Sequence, residues 1–217
     1  MEEIIDRFPC GFVLVDPVMG DNGTLYAGFD EAFALEMKRL LSRADVIVPN
    51  VTEAAYLTEM PYQSGTHSMD YIAALIEKLR ALSKGDIVLT GVDLENGKVG
   101  TAVALKDGIH IIEREKFNVF YSGTGDVFAS ALAAAMMNGM DLLKAATLAS
   151  DFVIDAIKET RRTSGDRNYG LNFELCTGKL LKKLGIKNQR ERKNCVPFGF
   201  KCKSPRYAVS SDLFLPA

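Results

Sequence analysis

Three short apolar runs, each cut off by a polar residue, constrain this chain more than any other feature. Phe12-Val13-Leu14-Val15 stops at Asp16-Pro17, Val46-Ile47-Val48 at Pro49-Asn50, and Ile87-Val88-Leu89 at Thr90-Gly91. Runs with no polar alternation suit strands covered on both faces, the usual condition of a parallel sheet. Between them apolar residues recur every three or four positions. Phe33, Met37, Leu40 and Leu41 mark a helix expected over Asp30 to Ser42, and a short helix is expected to begin near Thr52. Met69, Ile72, Ala73, Ile76 and Leu79 mark another helix, ended by Lys84-Gly85. Strand and helix in alternation predict an α/β fold with helices on the faces of the sheet. Gly20 to Thr24 and Gly65 to Ser68 read as loops.

Beyond Val99 the pattern changes. Val99 to Leu105 and Ile109 to Ile112 are β-rich and joined through Asp107-Gly108, a hairpin turn, so an antiparallel pair is expected to extend the sheet. A helix over Val127 to Met137 is apolar almost all round and is expected to be buried. Another is expected over Asp141 to about Glu159, with Leu142, Ala146, Ala149, Val153 and Ala156 in register, and a last one over Asn172 to Leu184. His67 and His110 fall in a loop and the hairpin, with no evident partner.

Composition and charge narrow the functional classes. Of 217 residues 47% are hydrophobic, enough for one sizeable core, yet no run has the length of a membrane span. The acidic start Met-Glu-Glu-Ile-Ile-Asp lacks the basic and apolar stretches of a secretory signal. Cys10, Cys176, Cys195 and Cys202 show neither paired spacing nor neighbouring histidines, which predicts free thiols and a cytoplasmic address. Residues 186–217 hold seven Lys or Arg against two acids, leaving 19 basic and 26 acidic residues in 1–185. A body with a net charge of -7 predicts no nucleic-acid partner. Residues 186–217, basic and without helical or strand period, read as a separate tail, either an arm for anionic partners or a disordered or non-native end.

One stretch carries chemistry. Ser122-Gly123-Thr124-Gly125-Asp126 precedes an apolar helix, and glycines flanking a threonine let several free N–H groups converge on one anion. Asp126 then stands where its carboxylate reaches a hydroxyl beside that anion. The same letters also suit an ordinary capped helix start. Asp16, Asn50 and Thr90 each follow a buried strand, and an open parallel sheet brings such residues to one edge, where ligands bind. Glu53, one turn after Asn50, adds a carboxylate that suits water-mediated magnesium or a capping box. Asp16 and Asp21, around Pro17 and Gly20, suit turns equally well.

Asp16-Pro-Val-Met-Gly-Asp21, Pro49-Asn50-x-x-Glu53, Thr90-Gly91 and Gly123-Thr-Gly-Asp126-Val-Phe, in this order and spacing, resemble the ribokinase-like superfamily and within it the pyridoxal kinases. The resemblance implies a three-layer α/β/α fold with a mostly parallel central sheet. It also implies ATP-dependent phosphorylation of the 5'-hydroxyl of pyridoxal, pyridoxine or pyridoxamine. Hydroxymethylpyrimidine kinases, similar but usually with cysteine in place of Asp126, stand second, and an ATP-binding remnant without turnover third. The implied general base, facing the substrate hydroxyl, is Asp126. Gly123, Thr124 and Gly125 would hold the phosphoryl group. Asn50, Glu53 and Asp21 would order Mg2+, and Asp16 with Thr90 would lie near the triphosphate, the metal and a K+ ion. Ile112, Glu113 and Arg114 would border the adenine. A homodimer is implied as well. The resemblance covers residues 1–185 and begins in the family's middle, so the sheet is expected to be incomplete at its N-terminal side.

Overall fold

The computed structural model describes residues 2–8, 11–119, 121–163 and 170–186. In chain order its elements are α1 (Glu2–Arg7), β1 (Leu14–Val15), β2 (Gly20–Asp21), β3 (Thr24–Leu25), α2 (Glu31–Leu41), β4 (Val46–Ile47), α3 (Val51–Thr58) and α4 (Met69–Leu82). Then follow β5 (Asp86–Leu94), β6 (Lys98–Leu105), β7 (Gly108–Glu115), α5 (Thr124–Met137), α6 (Leu142–Thr163), a 3-10 turn (Phe173–Cys176) and α7 (Thr177–Lys183). The expected tail, apart from Ile186, lies outside the described residues.

The main sheet runs β1-β4-β5-β6-β7. The first two pairings are parallel and the last two antiparallel, so four of the five strands point the same way and β6 opposes them. Alternation along each strand divides the core. Ile47, Ile87 and Leu89 pack with Leu41, Leu57, Leu75 and Leu79 of α2, α3 and α4 on one face. Val46, Val48 and Val88 pack with Leu132, Ala135, Ala146 and Ala149 of α5 and α6 on the other. The three apolar runs are apolar throughout because helices cover both sides of them.

Helix starts follow their caps. The Asp30 side chain accepts from the Phe33 N–H, and that of Ser68 accepts from the Tyr71 N–H. Gly85, in the turn after α4, allows that turn a close approach to the backbone entering β4. A Cβ there would lie 2.4 Å from the Ala44 carbonyl oxygen and 2.6 Å from that of Asp45. Both obstacles are backbone, so Gly85→Ala is expected to cost about 1–3 kcal/mol. The check is a urea melt, where the midpoint should fall at unchanged slope; an unmoved midpoint would show that this turn yields freely.

Several expectations are corrected. The third strand does not stop at Thr90: β5 continues to Leu94 across an irregularity between Leu89 and Val92, which Gly91 permits with φ +69°. Gly20 to Thr24 is a tight hairpin rather than a loop, turned by Asn22 (φ 50°) and Gly23 (φ 79°). Asn-Gly was a legible hairpin signal. Helix α5 is buried on one side only. Phe128, Ala131, Leu132 and Ala135 face the core while Ser130 and Met137 are exposed, because alanines fill the flanks. The last expected helix is split into the 3-10 turn and α7. His67 does have partners: its Nδ1 accepts from the Asp93 N–H and its Nε2 meets the Gln63 carbonyl, tying the loop before α4 to β5. His110 pairs with Asp107 across the hairpin turn.

Candidate active site

At the end of the sheet where β1, β4 and the first part of β5 finish lies a cleft of ≈ 580 Å³. Its position follows from topology: parallel strands deliver their following residues to one edge. Asp16, Asp21, Asn50, Glu53, Thr90 and the turn Gly123–Asp126 all line it. The N-terminus of α3 builds one wall. Asn50 caps it, accepting from the Glu53 N–H through Oδ1 at 2.9 Å and donating from Nδ2 to the Gly20 carbonyl at 2.9 Å. Glu53 completes a capping box: Oε2 accepts from the Asn50 N–H at 2.8 Å while Oε1 accepts from the Met19 N–H at 3.2 Å. Thr52 Oγ1 accepts from the Gly23 N–H. The start of α3 therefore anchors the β2–β3 hairpin and, with it, Asp21. Thr90 bridges to Asn50 across the strand ends, its N–H donating to the Pro49 carbonyl at 2.9 Å.

The facing wall is the start of α5. Gly123 takes φ +87°, reached cheaply only by glycine, and no side chain caps the helix. The N–H groups of its first turn are thus left for a ligand. A Cβ built on Gly125 would lie 3.9 Å from Asp16 Oδ2, and one on Gly123 3.8 Å from Asp126 Oδ2, so the glycine turn closes against both carboxylates. Neither the Asp16 nor the Asp126 carboxylate accepts a hydrogen bond from the described residues, whereas the Asp21 carboxylate holds Asn22.

Electrostatics mark the same spot. Burial pushes Asp16 up to about 6, with the nearby Asp126 charge adding to it. Burial pushes Glu53 up to about 8, against the Asn50 N–H bond that favours the anion, and Asp16 adds repulsion. Both carboxyls are raised first by burial, with a neighbouring carboxylate adding to it. The donor set is all oxygen and suits a magnesium ion held through one or two carboxylates, water and phosphate oxygens. Among the described residues no three acidic, histidine or cysteine side chains form a cage that would hold a metal by themselves.

Tyr26, just past β3, was missed in the sequence. It lines the cleft, and burial followed by the charges of Asp21, Glu53, Asp126 and Asp16 raises its phenol. The other half of the cleft is apolar, formed by Val99, Phe117, Val153, Ile154 and Ile157, with Thr101 and Ser150 facing each other at its floor. The excess of apolar residues on α6 beyond one stripe was its only sequence trace. Of the three residues expected at the adenine, Arg114 lines the cleft, its guanidinium held by Asp151 at 2.6 and 2.9 Å. Ile112 and Glu113 do not line it. Ile112 is buried in the core beneath α6, and Glu113, on the opposite face of β7, pairs with Lys98. Strand alternation separates Glu113 from its two neighbours.

Among the described residues no helix is long and apolar enough to cross a membrane. A phosphomethylpyrimidine kinase family model matches residues 1–171. The chain is 33% identical over 139 residues to a pyridoxal kinase of Vibrio parahaemolyticus, covering 60% of this chain and 45% of that protein. It is 32% identical over 153 residues to a hydroxymethylpyrimidine/phosphomethylpyrimidine kinase of Haemophilus influenzae, covering 69% of this chain and 56% of that one. Pyridoxal kinase from Lactobacillus plantarum is similar in structure, with a TM-score of 0.76 at 29% identity, covering 83% and 65% of the two chains. An ADP complex of Bacillus subtilis pyridoxal kinase has a TM-score of 0.61 at 26% identity, covering 72% and 58%. The chain spans about half the length of the curated relatives it matches.

Proposed function

Because this chain belongs to the phosphomethylpyrimidine kinase family, we propose that it carries the phosphoryl-transfer machinery of an ATP-dependent kinase acting on the 5'-hydroxyl of pyridoxal or a related B6 vitamer. The observation that carries the reading is the uncapped start of α5, bearing Asp126 and facing Asp16, two carboxylates that accept no hydrogen bond from the described residues, in one cleft. A nucleoside triphosphate lies with its terminal phosphate on the N–H groups of Thr124, Gly125 and Asp126. Its base enters the apolar half beside Val153 and Ile157, and Arg114 borders it. Asp126 accepts the proton of the attacking hydroxyl as the new O–P bond forms and the bond to the departing diphosphate breaks. The first-turn amides stabilise negative charge gathering on the phosphoryl oxygens.

Glu53, Asp21 and Asp16 are the candidate magnesium side, with Asn50 ordering it, and Thr90 with Asp16 the candidate neighbours of a K+ ion. When bound, magnesium supplies neutralisation of the phosphate charge. The ADP complex of the Bacillus subtilis relative supports the nucleotide assignment. A homodimer and a cytoplasmic setting belong to the same proposal.

The test is the 217-residue chain with magnesium-ATP and pyridoxal, read by the appearance of pyridoxal 5'-phosphate, with hydroxymethylpyrimidine as the competing substrate. Exclusive turnover of the pyrimidine would move the chain to the second substrate class. One other reading is a nucleotide-binding protein without turnover. ATP binding with no product from either substrate would select it.

A further inference from the structure

Behind the Gly123 turn lies a second set of contacts that the reaction does not use directly. Tyr121, two residues before Gly123, packs with Ala156 of α6 and with Leu171 in a small cluster separate from the two main cores, bordered by Val127 and Ile157. Gly170 (φ +83°) lies against the next residue: a Cβ on it would come within 3.3 Å of the Ser122 carbonyl oxygen. The segment carrying Gly170 and Leu171 is fastened by Thr160, whose side chain is wholly buried. Its hydroxyl donates to the Ala156 carbonyl at 2.7 Å and accepts from the Asn172 N–H at 2.8 Å. Asn172 Nδ2 also donates to Thr163 Oγ1 at 2.7 Å.

We propose that Thr160, Gly170 and Leu171 are positioning residues for phosphoryl transfer, forming a clasp that sets the place of the Gly123 turn from behind. A glycine turn is chosen for freedom and cannot fix its own location. Here Tyr121 is packed between α6 and Leu171 while Ser122 lies against Gly170, so the anion-binding N–H groups are referenced to α6 rather than to their own helix alone. Precision of this kind matters because small displacements of positioning groups cost large factors in rate. The inference rests on reading the Gly123 turn as a phosphate seat, and the experiment separates the two.

Thr160→Val keeps shape and removes the hydroxyl, Thr160→Ser restores it, and Thr58→Val serves as control. Thr58 is likewise buried and its hydroxyl likewise bonds the carbonyl four residues back, at Ala54, but among the described residues that hydroxyl accepts from no distant segment. Amide hydrogen exchange over residues 121–127 is expected to rise on the order of tenfold in Thr160→Val and to stay near wild type in the other two. Affinity for a non-hydrolysable ATP analogue with magnesium is expected to fall in the same order, by roughly three- to tenfold. Exchange that is unchanged in Thr160→Val, or raised equally in Thr58→Val, overturns the clasp. A loosened turn with undiminished affinity overturns its positioning role. A wild-type chain that binds no nucleotide would sink the phosphate seat, while the exchange arm still decides whether the clasp exists. Should Thr160→Val fail to fold, Gly170→Ala presses on Ser122 without touching the buried hydroxyl and is expected to raise the same exchange rates.

Discussion

On the proposed kinase reading, Asp126→Asn is expected to lower the rate of pyridoxal phosphorylation by roughly 10²- to 10⁴-fold, the range that a positioned general base contributes. The substitution keeps the size of the side chain and its place in the first turn of α5, where it is exposed, so the fold should not change. Nucleotide binding should survive, since Asn removes a negative charge facing the phosphates and leaves the first-turn amides in place. The paired readout is product formation and the nucleotide-induced rise in melting temperature. A loss of turnover with the rise retained assigns the proton to Asp126. Turnover within twofold of wild type would mean that another group takes the proton, with Asp16, on the other side of the Gly125 turn, the nearest candidate.

Stability should decline as pH rises from about 5 to about 8. The sign follows from the two crowded acids. Asp16 moves from 3.8 to about 6 and Glu53 from 4.5 to about 8 on folding, so in this window the folded chain holds more protons than the unfolded one. Their contribution is fully present below the unfolded values and is lost as each folded carboxyl ionises. Glu53 dominates, being buried with the larger shift, and its ionisation costs on the order of 3–5 kcal/mol by pH 8. For a chain of this size that is about 10 °C in melting temperature. Carboxyls held low by a hydrogen-bonded partner, such as Glu59 by Lys38 and Glu159 by Arg162, act on the acid side of this window and do not mask it. Glu53→Gln should flatten the decline while lowering stability at pH 5, because one of the two backbone N–H donors that Glu53 now serves would face an amide N–H instead. A melting temperature that is level or rises between pH 5 and pH 8 would show that Glu53 stays ionised in the fold.

Glu53 also shows how two readings of one residue coexist. The capping-box alternative is realised in full, with both carboxylate oxygens engaged by backbone N–H groups. The same carboxylate nevertheless lines the cleft and responds to the charge of Asp16. Its structural duty is to hold Met19 and Gly20 in place, and through them the hairpin bearing Asp21. The proposed cation role requires that the charged form be worth its burial only when a cation is near.

The amino-acid order by itself determined the strands and the chemistry at their tips. Short apolar runs without alternation suit strands covered on both faces, and each is stopped by polar residues, of which the topology then carries Asp16, Asn50 and Thr90 into the cleft. Gly123 and Asp126 were legible because a left-handed turn and a first-turn acid are local requirements of the backbone. Tertiary structure alone decided what depends on residues far apart in the chain. The apolar half of the cleft joins Val99 and Phe117 to Val153 and Ile157, and a helical stripe does not declare whether it faces a core or a cavity. Alternation sent Glu113 away from the cleft and buried Ile112 below it, which no composition of the strand reveals. The raised carboxyls of Asp16 and Glu53 arise from burial beside charges brought together only by folding, and the hold of Thr160 on Asn172 exists only once the chain has turned back on itself.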